Sequence, residues 1–419
     1  MRICILGAGI VGLATAWRLH HEGFEVTVID RASAGQGASA ANGAQLSYAY
    51  VQPLADPSLW KQLPRLLLAS DSPLMLRPQF DLHQWSWILQ FLAACRSSVS
   101  KQTTLELLAL AAQSRIALEE LRSREQLDCD FSASGKLVLY PDADSFAAAR
   151  RQMVLQKALG TEQMAVTAQE CVALEPALAH HQPRIAGAIY TPGECAADCQ
   201  KVCHELHRLL SGRGVQFILH TDIERLVVRR GRAVAVRTAS GPVEADAFVV
   251  ALGAGAHRFG RDLGLNLPVY PLRGYSLTMS IGEDAGAAPT VNVTDAARKV
   301  VFARLGRRLR VAGMVELAGY GTAVSPDRIA ALSHCARDLF PKSADFKISE
   351  TWAGLRPATP TGRPILGPQP GAPDNLLFNV GQGALGFTLA FGCAQQMAVQ
   401  LQSVCRATLS AAGPASCNG

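Results

Sequence analysis

Three glycines near the amino terminus have the spacing of a phosphate-binding loop. Residues 7–12 read Gly-Ala-Gly-Ile-Val-Gly, and Asp30 stands at the end of the next apolar run. In such a loop the first glycine allows a tight turn, the second lets backbone N–H groups approach a pyrophosphate, and the third lets a helix pack closely on a strand. A carboxylate at the position of Asp30 can accept hydrogen bonds from ribose hydroxyls. These residues therefore predict a site for a dinucleotide.

The elements around this loop are ordered as that chemistry requires. Residues 2–6 form an apolar run typical of a buried parallel strand, residues 13–23 have the periodicity of an amphipathic helix, and residues 24–29 form a second strand. The helix amino terminus would then face the phosphates with its positive dipole. A strand, loop, helix, strand and acid in this order favour a bound dinucleotide over a glycine-rich turn without a ligand.

The rest of the chain favours FAD over NAD. A nicotinamide-binding domain would continue at once with further βα units. Here residues 35–45 form a loop of small residues, and roughly eighty residues of helical periodicity come after it. Four later segments read as strands that return to the nucleotide-binding domain: residues 215–219, 223–228, 233–238 and 247–252. The last of them ends in Gly253-Ala254-Gly255, a turn suited to close approach near the phosphate loop.

A second glycine-rich turn lies near the carboxyl end. Residues 376–380 read as a buried strand, residues 381–388 as the turn, and a helix continues to about residue 404. A helix amino terminus aimed at the pyrimidine ring of a flavin would stabilise its anionic reduced form. By itself this turn is typical of a close-packed strand–helix junction, but together with the first loop it indicates the other end of an extended cofactor.

These motifs resemble a known family. The chain is similar to the D-amino-acid dehydrogenase small subunit, within the superfamily of D-amino-acid oxidase and glycine oxidase. The segment Val-Tyr-Pro-Leu-Arg-Gly-Tyr-Ser-Leu at 269–277 is far more specific to this family than the nucleotide-binding motifs. The resemblance rests on six segments: residues 5–12, 26–31, 39–45, 269–277, 352–357 and 381–388. One departure is Phe387, where the family often has tryptophan.

The resemblance implies an α/β fold with a Rossmann-like FAD-binding domain and a second, α+β substrate domain built on an antiparallel sheet. Residues 270–279, 298–304 and 309–315 alternate as strands, which agrees with that sheet. The expected FAD-binding domain is discontinuous and comprises residues 1–60, 141–262 and 350–419. The expected substrate domain comprises residues 61–140 and 263–349.

The expected cofactor is non-covalent FAD, because no cysteine is placed like the covalent flavin attachment of sarcosine oxidases. The motifs and the resemblance together predict the following cofactor-binding residues: Gly7, Ala8, Gly9, Ile10, Val11, Gly12, Asp30, Arg31, Ala38, Ser39, Asn42, Gly43, Ala44, Gln45, Ile223, Gly253, Gly255, Arg356, Gly381, Gly383, Ala384, Leu385, Gly386 and Thr388.

The expected reaction is oxidative deamination of a small D-amino acid or imino acid, with a hydride moving from the α-carbon to flavin N5. Because orientation dominates such a step, an arginine fork that clamps the substrate carboxylate is the natural device. Arg304 matches the family's carboxylate-binding arginine, although without the resemblance a solvated hairpin face would be the better interpretation. Arg356 is the rival for this role, or a group beside the flavin.

Three tyrosines complete the predicted catalytic set. Tyr275, Tyr48 and Tyr50 are candidates to hydrogen-bond the carboxylate or to cover the pocket, and the alternative for each is a packed aromatic ring with a satisfied hydroxyl. The electron acceptor is a quinone or oxygen, and sequence does not separate a dehydrogenase from a glycine, D-amino-acid or hydroxyproline-type oxidase. A non-catalytic flavin-binding subunit of a complex is a further alternative.

Composition restricts the partners and the compartment. The net charge of +6 is modest and the arginines form no stripe interleaved with aromatics, so nucleic acid is not expected. Eleven cysteines without a disulfide framework indicate a reducing, cytoplasmic location. Relatives that reduce quinone imply peripheral contact with the inner face of a membrane. No metal site is expected: Cys195, Cys199 and Cys203 would share one helical face but spread over about 12 Å.

Overall fold

The computed structural model describes residues 1–57, 59–60, 74–157 and 161–411. The strands are β1 Arg2–Leu6, β2 Glu25–Ile29, β3 Gln45–Leu46, β4 Leu74–Leu76, β5 Lys136–Tyr140, β6 Met164–Val166, β7 Gly187–Thr191, β8 Cys195–Ala196, β9 Gln216–Ile218, β10 Arg225–Arg229, β11 Arg232–Thr238, β12 Gly241–Glu244, β13 Ala247–Val250, β14 Tyr270–Ile281, β15 Asn292–Asp295, β16 Val300–Leu305, β17 Arg308–Leu317, β18 Ala344–Ala358, β19 Ile365–Pro368 and β20 Leu376–Val380. The α-helices are α1 Ile10–His21, α2 Leu82–Ala94, α3 Ser97–Arg124, α4 Ala143–Lys157, α5 Ala168–Leu174, α6 Cys199–Gly212, α7 Ala256–Arg261, α8 Pro326–Leu339 and α9 Gly386–Ala411.

A six-stranded sheet carries the two glycine-rich motifs. Its strand order is β19-β20-β13-β1-β2-β9, and every pairing is parallel except that of the edge strand β19 with β20. The interior strands β1, β13 and β20 are buried along their length except for the exposed Arg2 and are largely apolar, as expected when helices or other layers cover both faces. This arrangement confirms the Rossmann-like domain and the strands predicted at 2–6, 247–252 and 376–380.

Helices cover one face of this sheet in a single apolar core. Helix α9 packs against both α1 and α3, and α6 packs against α1. Their buried side chains, among them Leu13, Leu107, Val202 and Phe391, belong to one cluster with Ile5 and Val249 of the sheet. The predicted hairpin also forms, because β10 and β11 pair antiparallel and β12 extends them to three strands.

A larger, mixed sheet forms the second part of the fold. Its order is β18-β14-β17-β16-β15-β5-β7-β6, and β4 also pairs with β17 to complete nine strands. The four strands β18, β14, β17 and β16 are consecutive antiparallel neighbours. Helix α8 lies on one face, where Leu332 and Leu339 pack with Phe302, Leu277 and Val311. The other face is turned toward the nucleotide-binding sheet.

The observed sheets do not follow the domain boundaries expected from sequence. Strands β6 and β7 lie within the expected FAD-binding range 141–262, yet both belong to the nine-stranded sheet. Most of β18 also lies in that sheet, whereas residues 350–419 were assigned to the FAD-binding domain. Conversely, α3 lies in the expected substrate range 61–140 but packs on the nucleotide-binding core. Residues 61–73 and 412–419 of these ranges lie outside the described residues.

None of the helices in the described ranges is long and apolar enough to cross a membrane.

The three cysteines singled out from the sequence do not share one helix. Cys195 lies in β8, whereas Cys199 begins α6 and Cys203 follows one turn later. All three side chains are buried in the core of the nucleotide-binding part. The predicted single helical face is therefore wrong, because a strand and a turn precede the helix.

Candidate cofactor and substrate site

Three glycine-rich turns converge at one edge of the six-stranded sheet. They follow β1, β13 and β20, which are adjacent and parallel, so their carboxyl ends meet. A crevice at the carboxyl ends of parallel strands is where open α/β sheets bind ligands. Strand β18 of the larger sheet runs beside the turns at 253–255 and 383–385 and beside the short helical turn at 37–39. The crevice is therefore closed on its far side by the second sheet.

The first turn can be built only from glycine at two positions. Gly7 has a left-handed φ of +116°, and a Cβ there would lie 2.4 Å from the carbonyl oxygen of Ala251. A Cβ on Gly12 would lie 1.9 Å from the carbonyl oxygen of Gly7. These contacts hold the phosphate loop against both the turn after β13 and the first turn of α1, as the motif predicts.

Asp30 and Ser39 fix the loop from outside. The Asp30 carboxylate accepts hydrogen bonds from the backbone N–H of Ala8 (2.7 Å) and of Ala32 (2.9 Å). Ser39 Oγ accepts from the N–H of Ile10 at 3.0 Å. Asp30 therefore lies at the end of β2 beside the loop, where the sequence placed it. Of the flanking residues predicted to bind the cofactor, Arg31 and Ala38 are exposed.

The segment 42–45 joins the two sheets. Asn42 Oδ1 accepts from the N–H of Ala44, which adopts a left-handed φ of 60°. Gln45 reaches across to the nine-stranded sheet, where its Nε2 donates to the carbonyls of Val293 (3.2 Å) and Phe302 (3.1 Å). A Cβ on Gly43 would approach a methyl group of Val301 to 3.0 Å. This loop is thus pressed between the sheets, as expected for backbone that lies along a cofactor.

The carboxyl-terminal turn is tied to the same segment. Gly381 and Gly383 have left-handed φ values of 87° and 57°, and the turn leads directly into α9. Thr388 Oγ accepts from the N–H of Ser47 at 3.1 Å. The two stretches predicted to hold the flavin are therefore in direct contact, although more than three hundred residues separate them in sequence. Ile223 lies elsewhere, half-buried against the apolar cluster that contains Ile29.

A cavity of about 120 Å³ opens beside the last turn. Its walls are mostly apolar and come from Trp87 and Phe91 of α2, Leu272 of β14, and Ala384 of the turn. Among the described residues that line it, Arg356 is the only one with a charge. An apolar pocket with one convergent cation is suited to a small ligand that carries one carboxylate.

Arg356 is held in the cavity wall by the sheet itself. Its Nη1 donates to the carbonyl of Met314 at 2.8 Å. The guanidinium crosses Gly274 of the neighbouring strand, because a Cβ on Gly274 would lie 2.3 Å from Arg356 Cζ. Burial lowers the pKa of Arg356 to about 10, so the side chain is still a cation at neutral pH. The remaining N–H groups of the fork are available to a carboxylate.

A β-bulge shapes this contact. The pairing of β14 with β17 shifts between Arg273 and Tyr275, so that β17 has one residue more than its partner. Within the bulge Met314 adopts a left-handed φ of 61°, which is uncommon for a side chain of this size. Its carbonyl is the one that accepts from Arg356. Bulges next to active sites commonly re-aim a group in this way, and this one orients the guanidinium.

Arg304, the first choice from the sequence, does not reach the cavity. Its guanidinium donates to the carbonyls of Gly306 (3.2 Å) and Ala285 (3.1 Å) at the surface. Along β16 the side chain follows the same face as Phe302, which packs under α8, and not the face of Ala303. The structure therefore separates Arg304 from the cofactor crevice and brings Arg356 into it.

Tyr275 is likewise placed on the far side of the sheet. Its hydroxyl donates to Glu316 Oε2 at 2.7 Å, inside the core under α8. The same carboxylate, almost completely buried, accepts from Arg328 Nε at 2.8 Å. The tyrosine is thus a packed aromatic with a satisfied hydroxyl, which is the alternative that its sequence context left open.

Tyr48 and Tyr50 lie in the segment that leads from Ser47 to the cavity wall at Gln52. Tyr48 is buried in the nucleotide-binding core, and desolvation raises the pKa of its hydroxyl. Tyr50 has its ring centroid 4.4 Å from the Nζ of Lys136. Neither tyrosine is among the described residues that line the cavity, although both come shortly before the lining residue Gln52 in sequence.

A buried lysine and a buried glutamate beside these tyrosines were missed from the sequence. Lys136 Nζ donates to Ser47 Oγ at 2.8 Å, and Glu194 accepts from the N–H of Ala49 at 2.7 Å. Burial lowers the pKa of Lys136 to about 8, against the opposing effect of Glu194, and burial raises the pKa of Glu194. The only sequence signal was a lysine beside the apolar run Leu-Val-Leu at 137–139.

Comparison with known proteins agrees with this geometry. The model of the FAD dependent oxidoreductase family (DAO) matches residues 2–400. The fold agrees as well: a glycine oxidase from Geobacillus kaustophilus superposes with a TM-score of 0.76 at 22% identity, covering 96% of this chain and 95% of that one. The protein is an FAD-dependent oxidoreductase, and the cradle of glycine turns described above fits that cofactor.

Curated relatives narrow the class. D-amino acid dehydrogenase 2 of Ralstonia nicotianae is 47% identical over 410 residues, which cover 95% of this chain and 96% of that protein. D-amino acid dehydrogenase 2 of Pseudomonas aeruginosa is 45% identical over 96% of this chain and 94% of that protein. The chain therefore belongs to the D-amino acid dehydrogenase family.

Proposed function

We propose that this enzyme oxidises small D-amino acids to imino acids, which hydrolyse to 2-oxo acids and ammonia, and that Arg356 binds the substrate carboxylate. The observation that carries the assignment of Arg356 is its place in an apolar cavity beside the cofactor cradle, where it is the one cation among the lining residues that the structure describes. The names of the relatives support the choice of D-amino acids. Arg356 would thereby bind the substrate carboxylate, the role expected first for Arg304.

The residues of the cavity have three tasks in this reaction. Arg356 fixes the carboxylate in one plane, which restricts the orientation of the α-carbon. Trp87, Phe91 and Leu272 exclude water and accept a small apolar side chain. The three glycine turns would hold FAD, which would supply the acceptor for the hydride of the α-carbon. The amine must be neutral at that moment, and the site offers it no carboxylate partner among the lining residues.

The electrons then pass to a second acceptor, for which we propose a quinone. The relatives at 47% and 45% identity are named dehydrogenases and not oxidases, which supports an acceptor other than oxygen. A quinone acceptor brings the enzyme into peripheral contact with a membrane. The alternative is an oxidase for D-amino acids, glycine or hydroxyproline-type imino acids, in which oxygen reoxidises the flavin.

A single anaerobic experiment tests the substrate class. The FAD-loaded enzyme is mixed with a panel of D- and L-amino acids, and the visible absorbance of the flavin is followed. Bleaching by D-alanine and other small D-amino acids, with none by their L-enantiomers, is the expected result. Bleaching by L-amino acids alone, or by nothing in the panel, would refute the proposal. Admitting air or a quinone analogue afterwards identifies the acceptor by the rate at which the colour returns.

A further inference from the structure

Helix α2 is apolar on both of its faces. Its inner face carries Trp87 and Phe91, which are buried and line the cavity. Its outer face carries Leu82, Trp85 and Leu89, whose exposed fractions are 89%, 43% and 68%. The spacing of the outer residues is i, i+3 and i+7, which makes one stripe along the helix. Ser86 and Gln90 are exposed beside this stripe, but an apolar stripe of this kind on a helix normally packs against apolar surroundings. Within the part of the chain that the structure describes, the outer stripe is left exposed.

Two neighbouring aromatic residues extend the outer stripe. Phe80, one residue before the helix N-cap, is fully exposed, and Trp60 is half exposed near the other end of the helix. The polar edges of the indoles are already satisfied within the protein. Trp85 Nε1 donates to the carbonyl of Gln79 at 3.1 Å, and Trp60 Nε1 donates to that of Cys95 at 3.2 Å. The surfaces left to solvent are therefore apolar. We call Trp60, Phe80, Leu82, Trp85 and Leu89 the α2 patch.

The exposed charges around the α2 patch are mostly positive. The sequence from residue 82 to residue 105 contains no aspartate or glutamate. Arg77 lies before the helix, Arg96 directly after it and Lys101 in the first turns of α3, and all three are exposed, although Arg77 also lies 3.8 Å from the buried Glu316. Two carboxylates at the ends of the helix accept hydrogen bonds within the protein: Asp81 from the N–H of His83 as the helix N-cap, and Asp56 from Ser100 Oγ. Apolar side chains with tryptophans, flanked by cations, are the pattern of a surface that lies on anionic lipid headgroups.

We propose that the α2 patch is a docking surface for an anionic lipid bilayer. Phe80, Leu82, Trp85 and Leu89 enter the headgroup boundary, while Arg77 and Arg96 meet the lipid phosphates. Since the inner face of the same helix lines the cavity, docking places the cavity wall against the bilayer. The docking surface rests for its purpose on the proposed transfer of electrons to a quinone, which is a lipid-soluble molecule, but its evidence is independent of that proposal.

Vesicle binding of the FAD-loaded enzyme tests this surface without any turnover. The enzyme is sedimented with phosphatidylcholine vesicles that contain or lack phosphatidylglycerol. The wild type is expected to pellet with the anionic vesicles. The double variant Leu82→Ser/Leu89→Ser is expected to bind them at least about tenfold more weakly. Ile116→Ser is the matched control, since this residue of α3 is also 64% exposed but lies outside the α2 patch. It should bind like the wild type.

Charge and self-association provide the remaining readouts. Arg96→Glu should weaken binding to the anionic vesicles only, and salt should weaken wild-type binding. Equal binding of the wild type and Leu82→Ser/Leu89→Ser would overturn the proposal, as would a wild type that stays in the supernatant. The proposal would also be overturned if light scattering showed a wild-type dimer that the double variant does not form, because the α2 patch would then bind a second copy of the chain. Bleaching by D-amino acids in solution would still hold in each case, so the proposed reaction fails or succeeds separately.

Discussion

Replacing Arg356 by methionine should abolish tight substrate binding while leaving FAD in place. Methionine matches the apolar stem of arginine as far as Nε but lacks the guanidinium, which is held over Gly274 and by the carbonyl of Met314. A hydrogen bond to a charged group contributes about 1.5–3 kcal/mol, so the two bonds of a fork to a carboxylate contribute about 3–6 kcal/mol. This corresponds to a loss of roughly 150- to 25,000-fold in kcat/KM.

The assay is the anaerobic reduction of the flavin by rising concentrations of D-alanine, followed by stopped-flow absorbance. It separates the dissociation constant of the substrate from the limiting rate of reduction. Binding of propionate, a carboxylate that cannot be oxidised in this way, is measured in parallel by the change in the flavin spectrum. Arg356→Met should weaken both ligands, because the lost contact is to the carboxylate. Its FAD content, measured after denaturation, should match that of the wild type.

Two further variants make the test specific. Arg304→Met should leave both dissociation constants within about threefold, because an exposed side chain on the other face of β16 contributes little. Gly274→Ala keeps the guanidinium but places a methyl group where Arg356 Cζ now lies, so it should weaken both ligands in the same direction as Arg356→Met. Loss of binding in Arg304→Met together with normal binding in Arg356→Met would refute the reasoning.

Two predictions concern the cofactor cradle and its support. Gly12→Ala should yield protein that does not retain FAD, because the new Cβ would lie 1.9 Å from a backbone oxygen. Gly212→Ala is the control, since its new Cβ meets nothing within 4 Å, and this variant should stay yellow. Equal FAD content in the two variants would contradict the role of the loop. Lys136→Met should lower the free energy of unfolding in urea by about 1–3 kcal/mol, because Ser47 Oγ loses its buried donor and the Glu194 carboxylate loses the attraction of a nearby cation. Lys136→Met combined with Glu194→Gln should cost less than the sum of the two single variants, because the amide has no charge to leave unbalanced. If the double variant loses as much as the two single variants together, the two groups do not act as a pair.

The nucleotide-binding half of the site could be predicted from the sequence because its requirements are local. A left-handed φ at Gly7 and a backbone contact at Gly12 leave no choice of residue, so the glycines appear at fixed spacing. The acid at the end of β2 and the turn after β20 follow from the same strand-to-helix geometry. Such features are written into a few consecutive residues, and the structure places all of these turns at one crevice.

Long-range partners could not be predicted in this way. Lys136 and Glu194 are separated by fifty-eight positions, and both are brought to the segment 47–49 by the pairing of β5 with β7 and by the turn that follows. Strands β6 and β7 depart from the expected domain ranges for the same reason: they pair with β5 and with each other, and β5 joins the larger sheet through its parallel pairing with β15. A sequence reports that a segment is a strand, but the sheet that it joins is decided by contacts far along the chain.

Arg304 was expected in the site and Arg356 lies there because of the face of the strand to which each side chain points. Successive side chains of a strand point to opposite faces, so a shift of one position moves a residue from the crevice to the opposite side. Strand β16 is apolar on both faces around Arg304, and hydrophobic patterning therefore gives no parity there. At Arg356 a neighbour does decide it: Gly274 on β14, which pairs in register with Gly354 of β18, leaves space for the guanidinium on that face. An arginine beside paired glycines thus has a place to reach across the sheet, whereas an arginine in an unbroken apolar strand has none.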